Sequence, residues 1–159
     1  MQIEIDPLSD VALYQQLRDR VVEGIARGEL RVGDQLVPVR VLAAQFGINV
    51  ATVGKGYELL RSEGLVRTNR TAGTMVARAP RELSGSGGPS SLPGVGAWSA
   101  VAREGWEHRL ATVLAEGVAL GERDAAIADT VEHILESFAT SRAEASKTRD
   151  AAEGAGDAG

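Results

Sequence analysis

Cysteine is absent from the 159 residues, and aromatic side chains make up only 4% of them. The missing cysteines exclude disulfides, thiolate nucleophiles and cysteine-based zinc sites, and they fit a reducing cytoplasm. No stretch approaches the ~18 apolar residues of a membrane span. The acidic start, MQIEIDPLSD, lacks the apolar core of a signal peptide. We therefore expect a cytoplasmic protein without a membrane partner.

Signatures of catalysis are missing as well. The sequence contains no Ser/His/Asp set, no phosphate-binding loop and no dinucleotide fingerprint. His108 and His133 could form a metal site across two C-terminal helices, but without cysteines an ordinary surface position is the simpler interpretation for each. We expect neither an enzyme nor a bound cofactor.

Charge is distributed unevenly along the chain, whose net value is −5. Residues 1–80 hold ten Lys/Arg and nine Asp/Glu, whereas residues 81–159 hold seven and thirteen. Residues 36–78 contain two acidic side chains and six basic ones: Arg40, Lys55, Arg61, Arg67, Arg70 and Arg78. Because a local basic surface matters more for phosphate binding than the whole-chain charge, nucleic acid is a candidate partner.

Three helices are predicted in the first 64 residues. Residues 11–27 repeat an apolar side chain every fourth position, the spacing of an amphipathic helix: Leu13, Leu17, Val21 and Ile25. Pro38 suits the start of a second helix, VRVLAAQF, which Gly47 would end. Asn49 is a favourable N-cap for a third helix that runs to about Glu63.

A β-hairpin is predicted after the third helix. Residues 65–68 and 74–77 are β-prone and are separated by polar residues with Gly73. Gln35 and Leu36 could add a short edge strand. Three helices and a hairpin, with a tight turn between the second and third helices, predict a winged helix-turn-helix domain over residues 1–79. The fold class is thus mainly α.

A Gly/Ser/Pro-rich linker is predicted at 80–97 and marks a domain boundary. Two helices follow near 98–120 and 123–142, and residues 143–159 have no apolar stripe and predict a disordered tail. A helical hairpin of this size buries too little surface alone. We therefore expect dimerisation through the apolar residues Trp106, Leu110, Val113, Leu114, Ile127, Val131, Ile134, Leu135 and Phe138. Trp98 and Trp106 could instead line an effector pocket, although packing in the dimer core is favoured.

The first half of the chain resembles the GntR family of bacterial transcription regulators. The landmarks IARGEL, GDQL, VRVLAAQFGIN, YELLRSEGLV and a final GTMV follow in the family order and spacing over residues 12–77. The short C-terminal part is similar to the YtrA-like branch, through an apolar helix, a Leu-Gly break and a second apolar helix. This second resemblance concerns the fold and is less specific.

The resemblance implies that the third helix enters the DNA major groove and that the hairpin, or wing, contacts the neighbouring minor groove or backbone. It implies DNA contacts by Arg40, Asn49, Val50, Thr52, Arg70 and Thr71. Lys55 lies on the outward arc of the third helix, where a flexible ammonium suits a phosphate contact.

The sequence departs from the family pattern at three places. Val37-Pro38 replaces the usual Pro-Ser, Gly54 occupies a commonly basic position, and Thr71 stands where the wing usually has glycine. Whether Gly54 and Thr71 weaken DNA binding is left open, since Arg40, Lys55 and Arg70 are retained.

Two functions are compatible with these observations. The first is a homodimeric repressor that binds a palindromic operator on double-stranded DNA, with a small-molecule effector left open. The alternative is a dimeric interaction module whose winged helix has lost specific DNA binding. The operator, the regulated genes and the direction of regulation do not follow from the sequence.

Overall fold

Three helices make up most of the N-terminal unit: α1 (Leu13–Ala26), α2 (Val39–Phe46) and α3 (Val50–Ser62). The computed structural model describes residues 5–80 and 98–156. The chain divides into two compact units, Met1–Val95 and Gly96–Gly159. Except for Pro80, the predicted linker lies outside the described residues, so its boundaries stay a prediction.

The turn between α2 and α3 follows from its residue types. Gly47 ends α2 with a φ of 63°, in the left-handed region that glycine adopts without strain. Asn49 then caps α3, and its side-chain oxygen accepts a hydrogen bond from the Ala51 N–H at 2.8 Å. This tight connection sets α3 at an angle to α2 and creates a helix-turn-helix.

The N-terminal core lies where α1 and α3 approach each other. A Cβ atom on Gly56 would lie 3.0 Å from the Tyr14 carbonyl oxygen and 3.1 Å from Leu17 Cδ2. Only glycine permits this close approach of α1 and α3. The buried hydrophobic residues are Leu17, Val21, Ile25, Leu36, Leu42, Ala43, Val53, Tyr57, Leu60, Val66, Val76 and Ala77.

The predicted hairpin is present as β1 (Val66–Asn69) and β2 (Gly73–Val76), which pair antiparallel. We call β1, β2 and the turn 70–72 the wing. Gln35 forms an isolated bridge with Met75, and the Leu36 N–H donates to the Thr74 carbonyl at 2.8 Å. The segment between α1 and α2 thereby joins the wing, at the place where the sequence predicts an edge strand.

The C-terminal unit consists of α4 (Ala100–Ala119) and α5 (Asp124–Gly156). Ser99 caps α4 by accepting a hydrogen bond from the Ala102 N–H at 3.1 Å. Gly121 has a φ of 92° in the connecting turn. The two helices meet closely, since a Cβ on Gly117 would lie 3.1 Å from Ile127 Cδ1.

Helix α5 is longer than the sequence predicts. Its 33 residues continue to Gly156, through most of the segment 143–159 that was expected to be a disordered tail. Residues 143–152 combine alanine with Glu, Lys and Arg and lack proline. Such residues have high helix propensity, so the helix continues without an apolar stripe.

No helix among the described residues is both long enough and apolar enough to cross a membrane.

Candidate nucleic-acid interface

The N-terminal end of α3 presents the first group of predicted DNA contacts. Asn49 and Val50 are exposed and Thr52 is half-buried. The start of a helix also offers free backbone N–H groups and the positive end of the helix dipole, both of which favour phosphate. However, the Asn49 side-chain oxygen is already occupied by the Ala51 N–H. Only its amide NH₂ is therefore available to a ligand without loss of the cap.

Lys55 has a partner that the sequence did not predict. Its ammonium nitrogen lies 3.8 Å from the centroid of the Tyr14 ring, over the face of that ring. A cation in this position is attracted by the ring electrons. The contact joins α3 to α1, so Lys55 orients the helix as well as carrying charge near its outer surface.

Gly54 lies one helical turn after Val50, on the same face of α3. A Cβ at Gly54 would meet no atom within 4 Å. The space beside this position is therefore open, and a side chain could be accommodated there. In this chain the backbone of α3 is uncovered at Gly54.

Tyr57 positions the segment that leads into α2 through a partly buried hydrogen bond. Its hydroxyl donates to the Val37 carbonyl at 2.7 Å. Burial raises the pKa of Tyr57 to about 12, so the hydroxyl keeps its proton at ordinary pH. The bond fixes the position of Val37, just before Pro38. It thereby helps to set the start of α2, which carries Arg40. Sequence reasoning did not predict this hydrogen bond.

Arg40 and Arg70 provide exposed positive charge on two different elements. Arg40 is the second residue of α2, and Arg70 lies at the turn of the wing. Neither guanidinium group makes a hydrogen bond or an ion pair with another described residue. Both guanidinium groups are therefore available to phosphate oxygens.

The two acidic residues of the basic segment 36–78 are both neutralised by arginine. Glu58 pairs with Arg61 one turn along α3. Glu63 accepts from the Arg18 guanidinium of α1 at 2.9 Å. These pairs limit the repulsion that either carboxylate would exert on an approaching phosphate.

The wing turn is organised by its own side chains. Asn69 Oδ1 accepts from both the backbone N–H and the hydroxyl of Thr71, at 3.0 and 2.9 Å. Gln35 Nε2 donates to the Ala72 carbonyl at 2.7 Å. Thr71 thus replaces the usual glycine without a left-handed backbone, since no non-glycine residue in the described chain has positive φ. Its hydroxyl donates to Asn69 within the turn.

The predicted dimerisation residues lie on α4 and α5 and keep substantial exposure. None of the nine is buried in the single chain: Trp106, Leu110, Val113, Leu114, Ile127, Val131, Ile134, Leu135 and Phe138. Trp98 and Trp106 contact edge to face, with ring centroids 5.5 Å apart. Among the described residues, no group of three or more His, Asp or Glu side chains is arranged to hold a metal ion.

The N-terminal unit, with a helix-turn-helix followed by a two-stranded wing, is a winged helix-turn-helix domain. Residues 13–76 match the family model described as "Bacterial regulatory proteins, gntR family". Over these residues the domain is similar to the GntR family of bacterial regulatory proteins, the family that the sequence landmarks resemble.

Curated relatives match over the same region. The HTH-type transcriptional regulator Rv1152 of Mycobacterium tuberculosis is 36% identical over 76 residues, which are 48% of this chain and 63% of the relative. The HTH-type transcriptional repressor YtrA of Bacillus subtilis is 37% identical over 75 residues, 47% of this chain and 58% of the relative. The match thus spans less than two thirds of either protein.

Solved structures resemble more of the chain. The GntR-family transcription factor YtrA from Sulfolobus acidocaldarius is 27% identical with a TM-score of 0.51, and the match covers 74% of this chain and 97% of that one. A Listeria monocytogenes protein described as a transcriptional antiterminator has a TM-score of 0.69 at 21% identity, covering 87% and 92% of the two chains. The latter likeness concerns the fold.

Proposed function

We propose that this chain is a cytoplasmic, sequence-specific DNA-binding regulator that acts as a homodimeric repressor at a palindromic operator. The observation that carries the proposal is the exposure of the α3 N-terminal end and the wing turn, on a domain that matches the GntR family model. In this proposal α3 enters the major groove, where every base pair presents a distinct pattern. Occupancy of the operator would block access to a promoter.

Phosphate contacts by Arg40 and Arg70 would set the position of α3 on the duplex. The two residues lie on α2 and on the wing, the elements that flank α3 in the chain. Contacts to phosphate fix orientation without reading sequence. Base readout would then fall to the exposed start of α3, between the two arginine contacts.

A second copy of the chain would cover the apolar residues of α4 and α5. No residue from 98 to 152 is buried, although the helices carry Trp106, Leu110, Ile134 and Leu135. An apolar surface of this kind requires a partner, and a two-fold dimer offers the same surface on both copies. Dimer symmetry would in turn impose a near-palindromic operator. If a small-molecule effector acts on this protein, we propose that it binds between the two copies.

Salt dependence of DNA binding tests the proposal. The full chain is titrated with duplexes from the region upstream of its own gene, at several salt concentrations. Arg40→Ala and Arg70→Ala should each weaken binding to specific and nonspecific duplexes alike and lower the slope of log affinity against log salt by about 1. Arg20→Ala is the control, since Arg20 pairs with Glu23 on α1. Failure of every duplex to bind at low salt and micromolar protein would refute the proposal.

The alternative is a dimeric interaction module without useful DNA affinity. Three observations favour it: Gly54 has no side chain, Lys55 is engaged with Tyr14, and the hydroxyl of Thr71 is engaged with Asn69. Binding to heparin separates the two functions. A DNA-binding regulator should be retained on heparin, and its Arg40→Ala and Arg70→Ala variants should elute at lower salt than the unsubstituted protein. The interaction module should flow through.

A further inference from the structure

The start of α3 displays methyl groups at the surface that would face DNA. Val50 is 48% exposed although it is a large hydrophobic residue. Ala51 beside it is exposed as well. An exposed valine at the first position of a helix is not explained by packing, because it contributes nothing to the buried core.

Two polar side chains near Val50, those of Asn49 and Lys55, are already engaged within the protein. The Asn49 oxygen accepts the Ala51 N–H, so the bidentate pairing of asparagine with adenine would require the cap to open. The Lys55 ammonium lies over the Tyr14 ring. Hydrogen-bonded readout from this end of α3 is therefore left to the Asn49 amide NH₂ and the Thr52 hydroxyl, whereas Val50 and Ala51 offer exposed apolar groups.

Gly54 allows close approach on the same face as Val50. The two residues are four positions apart and lie one above the other along the helix. Because Gly54 has no side chain and its surroundings are open, no side chain at that position holds α3 away from the base edges. Val50 is then the side chain that this face presents next to the open position.

We propose that Val50 is a specificity residue that contacts the C5-methyl group of a thymine in each operator half-site. That methyl is the apolar group that the major groove presents, and it distinguishes thymine from the other standard bases. The inference rests on the proposed DNA-binding function and adds to it the chemical feature that α3 reads.

Replacement of thymine by deoxyuridine tests this contact, because only the C5-methyl is removed while base pairing is kept. A tight-binding duplex is selected from a random-sequence pool with the full chain, and each thymine is replaced in turn. Burial of one methyl group corresponds to a change in affinity of about fourfold. We expect one thymine per half-site to show a loss of this size.

The protein variants assign the effect to Val50. In Val50→Ala the loss caused by deoxyuridine at that position should disappear, since the γ-methyl groups are gone. Val11→Ala is the matched control: Val11 is 45% exposed on the segment that leads into α1, and its removal should leave the deoxyuridine effect unchanged. Circular dichroism establishes that both variants fold.

The outcomes separate the inference from the function beneath it. Tight DNA binding with no sensitive thymine, or with a sensitivity that Val50→Ala retains, overturns the role of Val50 and leaves the DNA-binding function standing. If no duplex is selected from the pool, the proposed function itself fails, and the inference fails with it.

Discussion

Gly54 and Gly56 are two residues apart in α3 but face opposite constraints. Gly56 is buried against α1, where the Tyr14 carbonyl leaves no room for a methyl group. Gly54 has open space beside it. Glycine is needed at position 56 for packing, whereas at position 54 it lowers helix stability and shapes the surface that we propose to face DNA.

Alanine substitutions at the two glycines should therefore change stability in opposite directions. Gly56→Ala should lower the free energy of unfolding by about 1–3 kcal/mol through overpacking. Gly54→Ala should raise it by up to about 1 kcal/mol, because alanine favours the helix. Urea unfolding of both variants measures this, and a stabilised Gly56→Ala would contradict the close contact between α1 and α3.

The raised pKa of Tyr57 predicts a loss of stability at high pH. Burial brings the pKa from 10.0 in the reference state to about 12, so the folded state holds the hydroxyl proton more tightly than the unfolded state. This contribution is complete below pH 10 and is lost as the pH rises toward 12. The resulting fall in the free energy of unfolding is up to about 3 kcal/mol.

Comparison with Tyr57→Phe isolates that contribution. The variant lacks the hydroxyl, so its free energy of unfolding should fall less than that of the natural protein between pH 9 and 12. Urea unfolding at a series of pH values provides the measurement. Parallel pH profiles for the two proteins would show that Tyr57 does not titrate in this way.

At the scale of elements, α3 is held at three points along its length. Asn49 caps its start, Gly56 packs on α1, and Glu63 receives a bidentate hydrogen bond from Arg18 beyond its end. Burial opposes the charge of Arg18, but its hydrogen bonds to Asp19 and Glu63 outweigh this and raise its pKa. The helix that we propose to read DNA is thus fixed to α1 before any ligand arrives.

Two substitutions at Asn49 should separate capping from DNA contact. Asn49→Ala should cost about 1 kcal/mol of stability, because the Ala51 N–H loses its acceptor. Asn49→Asp keeps an acceptor and should preserve stability, but its negative charge should weaken DNA binding. Urea unfolding and DNA titration of the same two variants distinguish the effects. Tight DNA binding by Asn49→Asp would place the α3 start away from phosphate.

The helices and the wing of the N-terminal unit were predictable because local signals agree with the tertiary structure. The Gly47 stop, the Asn49 cap and the apolar face of α3 are all encoded within a few residues. The Lys55–Tyr14 contact was not predictable, since it depends on how α1 and α3 pack. The full extent of α5 was not predicted, because its last residues carry no apolar stripe. They form helix through their intrinsic propensity alone.

For the whole molecule, the two units differ in how they bury apolar surface. The N-terminal unit has a core that includes Leu17, Val53 and Leu60, each at most 1% exposed. In the C-terminal unit no residue from 98 to 152 is buried. The first unit can satisfy its own apolar residues, whereas the second depends on association, which supports the proposed homodimer.

A charge placed on α5 should therefore dissociate the dimer. Leu135 is 61% exposed in the single chain, so Leu135→Glu should be harmless in a monomer but disruptive in a dimer core, where an unpaired charge would be buried. Leu8→Glu is the matched control at a leucine of the N-terminal unit that is 93% exposed. Sedimentation equilibrium should show a lower mass for Leu135→Glu alone. Equal masses for both variants would exclude this face of α5 from the interface.

The attachment of the wing to the segment before α2 has a thermodynamic consequence. Gln35, Leu36 and Asp34 all exchange hydrogen bonds with the hairpin or its turn, so the wing is ordered without a ligand. Binding to DNA need not then be coupled to folding of this domain. The heat capacity change of association should consequently reflect the apolar surface removed from water at the contact, and it should lack the large negative contribution that accompanies the ordering of a disordered segment.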